Sequence, residues 1–285
     1  MFKLILTDLD DTLIPYVFQR RSVASPRSIA AIDSALEQGI HFGPVSGRIP
    51  GSMSWMFDGH DECCQTGAFV NGQVIRVDGK VVKTVAFDTD VLRQLWLWLD
   101  KADAGCFLTI FDLSEETKPA VVTSQPERVM KSGSCNWGEF RRVVSELGEG
   151  PYVKANLQCA CERPQMEQVR DALSVAFPQL SFVFPSNVAP IIDITPANWD
   201  KGSAVRFIAE YLGISLDEVV VFGDSDNDLA MIDSVPNSVA VANASPTVAE
   251  HATWHIGPSS EYSVASAIEQ IAGWAQGGKK PDFLA

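Results

Sequence analysis

Short all-apolar runs alternate with amphipathic stretches over most of this chain. Phe2 to Leu6 is too short for a helix and reads as a buried parallel strand, stopping at Thr7-Asp8-Leu9-Asp10-Asp11. A helix follows: Ser25 can cap it, Pro26 suits its first position, and Ile29, Ile32 and Leu36 share one face. Gly39 is placed to end it. A second strand, Ile40 to Val45, then delivers Ser46-Gly47-Arg48. The same grammar returns late in the chain. Lys201-Gly202 opens a helix whose apolar face carries Val205, Ile208 and Leu212, with Gly213 closing it. Val219 to Phe222 is an all-apolar strand ending in Gly223-Asp224-Ser225-Asp226-Asn227-Asp228. Val239 to Val241 gives another strand, and Ser263 to Ala275 a final amphipathic helix. Strands alternating with helices predict an α/β fold, a doubly wound parallel sheet with ligands at the carboxyl ends of its strands. Every polar cluster named above falls at such an end.

The middle of the chain has a different rhythm. Gly67 to Ala86 predicts a hairpin, with Val77-Asp78-Gly79-Lys80 as its turn. From about Phe87 to Ala189 the strand-tip pattern stops. Leu92, Leu95, Trp96 and Leu99 make one helical face, and Val169, Leu173 and Phe177 another. Ala120 to Thr123, Val153 to Leu157 and Phe182 to Phe184 read as strands. This predicts a separate α+β module inserted into the parallel-sheet domain.

Composition narrows the partners. With 285 residues, 46% of them hydrophobic, the chain is near the size at which one core divides into two. A formal net charge of −14 repels nucleic acid and anionic lipid, so neither is an expected partner. The N-terminus reaches Asp8 after too few apolar residues for a signal-peptide core, and no run is long enough to span a bilayer. Both point to the cytoplasm. Cys63, Cys64, Cys106, Cys135, Cys159 and Cys161 form no paired CxxC knuckles. Cys159 and Cys161 would share one face of a strand, which admits a soft-metal site, but small buried thiols in a reducing compartment are the preferred reading. His251 and His255 stand four apart, yet Thr253 to Ile256 reads as a short strand rather than a metal-binding helix.

Asp8 and Asp10 stand two apart directly after a buried strand. Phosphoryl transfer to water can proceed through an aspartyl phosphate, which divides one difficult displacement into two. One carboxylate attacks, and a second donates a proton to the leaving oxygen and later takes one from water. A divalent ion must neutralise the attacking carboxylate against the phosphate it approaches. Asp8 and Asp10 suit the first two tasks. Asp224 to Asp228 form a second acidic cluster after a second buried strand. An EF-hand loop fails there, because Leu229 holds the glycine position and Val235 the glutamate position. Ser46, with the neighbouring backbone N–H of Gly47, can hold phosphate oxygens, and Lys201 can neutralise them.

Taken together, Asp8-Leu9-Asp10-Asp11-Thr12-Leu13, Ser46-Gly47-Arg48, Lys201-Gly202 and Gly223-Asp224-Ser225-Asp226-Asn227-Asp228 resemble the haloacid dehalogenase superfamily of phosphohydrolases, in its Cof-type branch. The resemblance covers the whole chain. It implies a Rossmann-like core at 1–84 and 190–285, with an inserted α+β cap at 85–189. It implies Asp8 as nucleophile and Mg²⁺ ligand, and Asp10 as general acid/base with its backbone carbonyl on the metal. Asp224 would ligate Mg²⁺ directly, and Asp228 would hold metal-bound water or orient Lys201. Ser46, Gly47 and Lys201 would grip the phosphate, with Asn227 nearby. Three positions depart from the family pattern: Thr66 where asparagine is frequent, and Asp11 and Ser263 where glycine is. The expected activity is hydrolysis of a small phosphorylated metabolite by a monomer or small homo-oligomer. A hexose-phosphate mutase and a catalytically silent metabolite-binding protein stay open beside it. A P-loop kinase is disfavoured, since GxxxxGK[ST] is missing.

Overall fold

A computed structural model describes residues 1–16, 23–111, 119–131, 142–185 and 189–285, without the side chains of 130 and 131. Cys135 lies outside the described residues. The chain divides into two compact units, Met1–Thr84 with Asp200–Ala285, and Val85–Trp199.

In the first unit, β1 (Leu4–Thr7) leads through α1 (Pro26–Glu37) to β2 (His41–Pro44). Ser25 caps α1 by accepting the Ser28 N–H, and Pro26 stands at its start. A one-turn helix, α2 (Met53–Met56), precedes an antiparallel set, β3 (Gly67–Phe69), β4 (Val74–Val77) and β5 (Lys80–Thr84). Between β4 and β5, Asp78 and Gly79 both take positive φ, 47° and 75°. That is the backbone a two-residue hairpin turn needs and Asp-Gly supplies.

The second unit is a six-stranded sheet. Its elements are α3 (Thr89–Ala102), β6 (Cys106–Ile110), β7 (Ala120–Val122), α4 (Pro126–Lys131), β8 (Arg142–Val144), β9 (Ala155–Cys159), α5 (Arg163–Ala176), β10 (Leu180–Val183) and β11 (Ile191–Pro196). The strand order is β10-β11-β9-β6-β7-β8, antiparallel except for β7 with β8. Alternation sorts the side chains by face. Cys106, Leu108, Ala155, Leu157, Cys159, Ile192 and Ile194 form one core with Leu92, Leu95, Trp96 and Leu99 of α3 and Val169 and Leu173 of α5. The expected return to the parallel sheet at residue 190 is corrected here: β11 pairs with β9 and β10, and the first unit resumes at Asp200. The physical reason is that Ile192 and Ile194 complete this unit's apolar face, so the strand is needed in it.

Back in the first unit come α6 (Lys201–Leu212), β12 (Val219–Gly223), α7 (Leu229–Ile232), β13 (Ser238–Ala240), α8 (Pro246–His251), β14 (Trp254–His255) and α9 (Ser263–Ala275). The sheet runs β14-β13-β12-β1-β2, and every pair is parallel. Leu4, Ile5, Leu6, Val219, Val220, Val221 and Phe222 have no exposed surface, so both faces of the two central strands are covered. Burying one such side chain contributes about 1.5–3 kcal/mol. From β1 the chain steps outward to β2. On its return it enters beside β1, as β12, and steps outward the other way. The strand order therefore reverses between β1 and β12, and a crevice opens outside their carboxyl ends.

Candidate functional site

That crevice collects the acidic motifs. β1 and β12 are in register from Leu4↔Val219 to Thr7↔Phe222, so Asp8 leaves its strand level with Gly223, one residue before Asp224. The Asp8 N–H donates to Phe222 O at 2.9 Å. Its carboxylate is buried. Lys201, first residue of α6, reaches into the same place: Nζ lies 2.6 Å from Asp8 Oδ1 and 2.5 Å from Asp228 Oδ1. A lysine at a helix N-terminus opposes the helix dipole, and one with 1% exposure is costly unless paired. Asp8 and Asp228 supply that pairing. Burial pushes the Lys201 ammonium down, but the two carboxylates outweigh it and hold its pKa above the ordinary value.

Asp228 is held in turn. Its Oδ2 accepts the backbone N–H groups of Asp224 at 3.0 Å and Ser225 at 3.1 Å. The carboxylate folds under the end of β12, in space that only glycine leaves open. A Cβ on Gly223 would stand 2.8 Å from Asp228 Cβ and 3.0 Å from its Cγ. Gly223→Ala is therefore expected to lower stability by about 1–3 kcal/mol and to reduce activity by displacing Asp228. An unchanged urea midpoint would show that the loop accommodates the methyl group.

Asp8, Asp224 and Asp228 bring carboxylate oxygens within 4.8 Å of one another. Burial raises the Asp8 carboxyl well above its usual range, with Lys201 opposing and Asp228 and Asp224 adding to the rise. Burial, then Asp228, pushes Asp224 up to about 7, while the hydrogen bond from Thr12 opposes it. Three carboxylates thus stand beside one ammonium, which pairs with two of them. A set of hard oxygen donors with surplus negative charge fits a divalent cation such as Mg²⁺.

The other expected residues lie around this centre. Asp10 is half-buried, and its carboxylate turns to Arg48 in a two-pronged pair: Nε to Oδ2 at 2.9 Å and Nη2 to Oδ1 at 2.8 Å. Ser46, buried at the end of β2, accepts the Arg48 N–H at 3.1 Å, with Gly47 between them. Asn227 sits on the turn Asp226–Asp228 and accepts from the Ser225 hydroxyl at 2.9 Å. Asp11 adopts φ 61°, the left-handed region that glycine enters without strain, and this accounts for the family preference at that position. Here Asn243 Nδ2 donates to Asp11 O at 2.9 Å and the Asp11 carboxylate accepts the Tyr16 N–H. Sequence reasoning gave no role to Thr12, whose hydroxyl donates to Asp224 Oδ1 at 2.7 Å, or to the Arg48 side chain. Both stand inside motifs already singled out, which was the available signal. His251 pairs with Asp233 and His255 with Ala249 O, and neither belongs to a metal-capable group among the described residues.

The model of the haloacid dehalogenase-like hydrolases matches residues 5–268. "Putative phosphatase YxeH" of Bacillus subtilis is 42% identical to this chain, covering 95% of it and 98% of YxeH. The crystal structure of SMU.1108c from Streptococcus mutans superposes with a TM-score of 0.79 at 19% identity, covering 95% of this chain and 99% of that one. BT4131, described as a HAD subclass IIB sugar phosphatase, has a TM-score of 0.72 at 20% identity, covering 94% and 98%. The chain belongs to the haloacid dehalogenase-like hydrolases, in their Cof-type branch. The parallel-sheet core with additional antiparallel sheets is the fold of that family. Among the described residues no helix is long and apolar enough to cross a membrane.

Proposed function

We propose that this protein is a Mg²⁺-dependent phosphatase that hydrolyses a small phosphorylated metabolite through an aspartyl phosphate on Asp8. One observation carries the reading: a buried carboxylate at the tip of a central strand meets a buried ammonium, with two further carboxylates beside it. Asp8 attacks phosphorus, the bond to the leaving oxygen breaks, and Asp10 donates a proton to that oxygen. Asp10, now a carboxylate, takes a proton from the water that attacks the phosphoryl group, releasing phosphate and restoring Asp8. Arg48 holds both Asp10 oxygens at rest, so proton handling requires it to release one. Lys201 neutralises the transferring oxygens, the Ser46 hydroxyl and Gly47 N–H donate to them, and Asn227 borders them. Asp8, Asp224, the Asp10 backbone carbonyl and Asp228, directly or through water, would hold Mg²⁺, which would supply the charge that lets an anion approach a phosphate.

A sugar phosphate or similar compound is the substrate class, following the description given to BT4131. We assign substrate choice to the second unit. Free thiols at all five described cysteines fit a cytoplasmic setting. A turnover screen over phosphorylated metabolites tests the reading. Activity is expected with Mg²⁺, lost in excess chelator and restored when Mg²⁺ is returned. Ca²⁺ is expected to support it poorly, because its looser and larger shell misplaces the nucleophile. Undiminished turnover in excess chelator would exclude the metal-dependent mechanism.

A further inference from the structure

Three sulfurs meet in the second unit, where β6 begins and β9 ends. Cys106 on β6 and Cys159 on β9 stand directly opposite each other. Ala160 N donates to Gly105 O at 2.7 Å, while the Cys159 N–H turns the other way, to Pro190 O. Residues 105 and 160 are thus a hydrogen-bonded pair, and 106 and 159, one step along, a non-hydrogen-bonded pair. Opposed Cα atoms at such pairs stand about 4.5 Å apart, with their side chains close. That spacing lies inside the roughly 4.4–6.8 Å range of disulfides. The two sulfurs are 3.1 Å apart, both buried. Cys161, two residues past the end of β9, puts its sulfur 3.7 Å from that of Cys106. It is half-buried, the outermost of the three.

We propose that Cys106, Cys159 and Cys161 form a thiol–disulfide exchange site that a small disulfide such as glutathione disulfide oxidises to a Cys106–Cys159 bond. Cys161 gives its proton to solvent and attacks one glutathione sulfur. A bond forms to Cys161, the glutathione S–S bond breaks, and one glutathione leaves as a thiolate that is protonated. Cys106, losing its proton, attacks the Cys161 sulfur and expels the second glutathione. Cys159 then attacks the Cys106 sulfur, which moves the bond to the opposed pair and returns Cys161 to a thiol. Two protein thiols are oxidised, and one glutathione disulfide is reduced to two glutathiones. Burial, then the neighbouring Cys106, pushes the Cys161 thiol up to about 12. The hydrogen bond to Cys159, then burial, raises the Cys106 thiol far above its ordinary value. The cluster therefore rests as protonated thiols, and its oxidation is slow rather than sensor-fast.

The test is incubation of the folded full chain with glutathione disulfide, followed by alkylation and peptide mapping. The expected result is loss of two alkylatable thiols, with the Cys106 and Cys159 peptides joined and Cys161 alkylated. Dithiothreitol should restore both thiols. In Cys106→Ala the expected product is a lasting glutathione adduct on Cys161. In Cys161→Ser the Cys106–Cys159 bond should still form, more slowly. Three thiols retained in the wild type would overturn the proposal. So would a lasting glutathione adduct there, a final Cys106–Cys161 bond, or pairing of any of the three with Cys63, Cys64 or Cys135.

Discussion

Asp8→Asn is expected to show neither turnover nor a phosphoenzyme, whereas Asp10→Asn should accumulate one. In the proposed mechanism the first variant removes the attacking oxygen anion from the buried centre. It also leaves Lys201 with Asp228 as its remaining carboxylate neighbour. The second keeps nearly the same shape and the backbone of the loop. It loses the proposed proton donor and acceptor, a role worth about 10²–10⁴-fold. A substrate with a good leaving group needs little protonation, so transfer to Asp8 should be affected least. Hydrolysis of the aspartyl phosphate still needs a base, so label should persist after acid quenching. Label retained in Asp8→Asn would mean that another residue is the nucleophile. Wild-type turnover in Asp10→Asn would move the acid/base role elsewhere, with Asp11 the next carboxylate along the chain.

Lys201→Met should fail in two separable ways. Removing the ammonium leaves Asp8 and Asp228 buried without their partner, and breaking a buried pair from one side costs about 3–5 kcal/mol. Independently, a charge-assisted contact to a transferring phosphoryl group is worth on the order of 2.7–4 kcal/mol, or about 10²–10³ in kcat/KM. The double variant Lys201→Met/Asp228→Asn removes one of the two stranded charges. It is expected to recover much of the urea midpoint while turnover stays low. A folded Lys201→Met protein with unchanged kcat/KM would reduce Lys201 to a structural residue.

How far the sequence reads depends on the kind of interaction involved. Strands such as Val219–Gly223 are legible because burial on both faces demands an unbroken apolar run, and α9 because its period is strong and its ends are clear. β6 and β11 were not read. On one face they carry Leu108, Ile192 and Ile194, but on the other Thr109, Asp193 and Thr195 are buried as well, so the usual polar-outward signal misleads. The motif residues could be named from their positions at strand tips. Their hydrogen bonds could not. Asp228 sits beneath Gly223 and Arg48 reaches back 38 residues to Asp10, and both facts depend on side-chain paths that spacing leaves undetermined.

The reversal of strand order between β1 and β12 also sets a timetable. Leu4 pairs with Val219, so the central strand waits for a partner more than two hundred residues downstream. At about 5–20 residues per second, a ribosome needs roughly 10–40 s to supply it. Throughout that interval β2 is the one partner in this sheet that β1 can have, and its other edge carries unpaired backbone groups beside three consecutive apolar residues, Leu4, Ile5 and Leu6. The first strand is therefore open to aggregation during that interval, and the two halves of the candidate site meet late, after a large loop has closed.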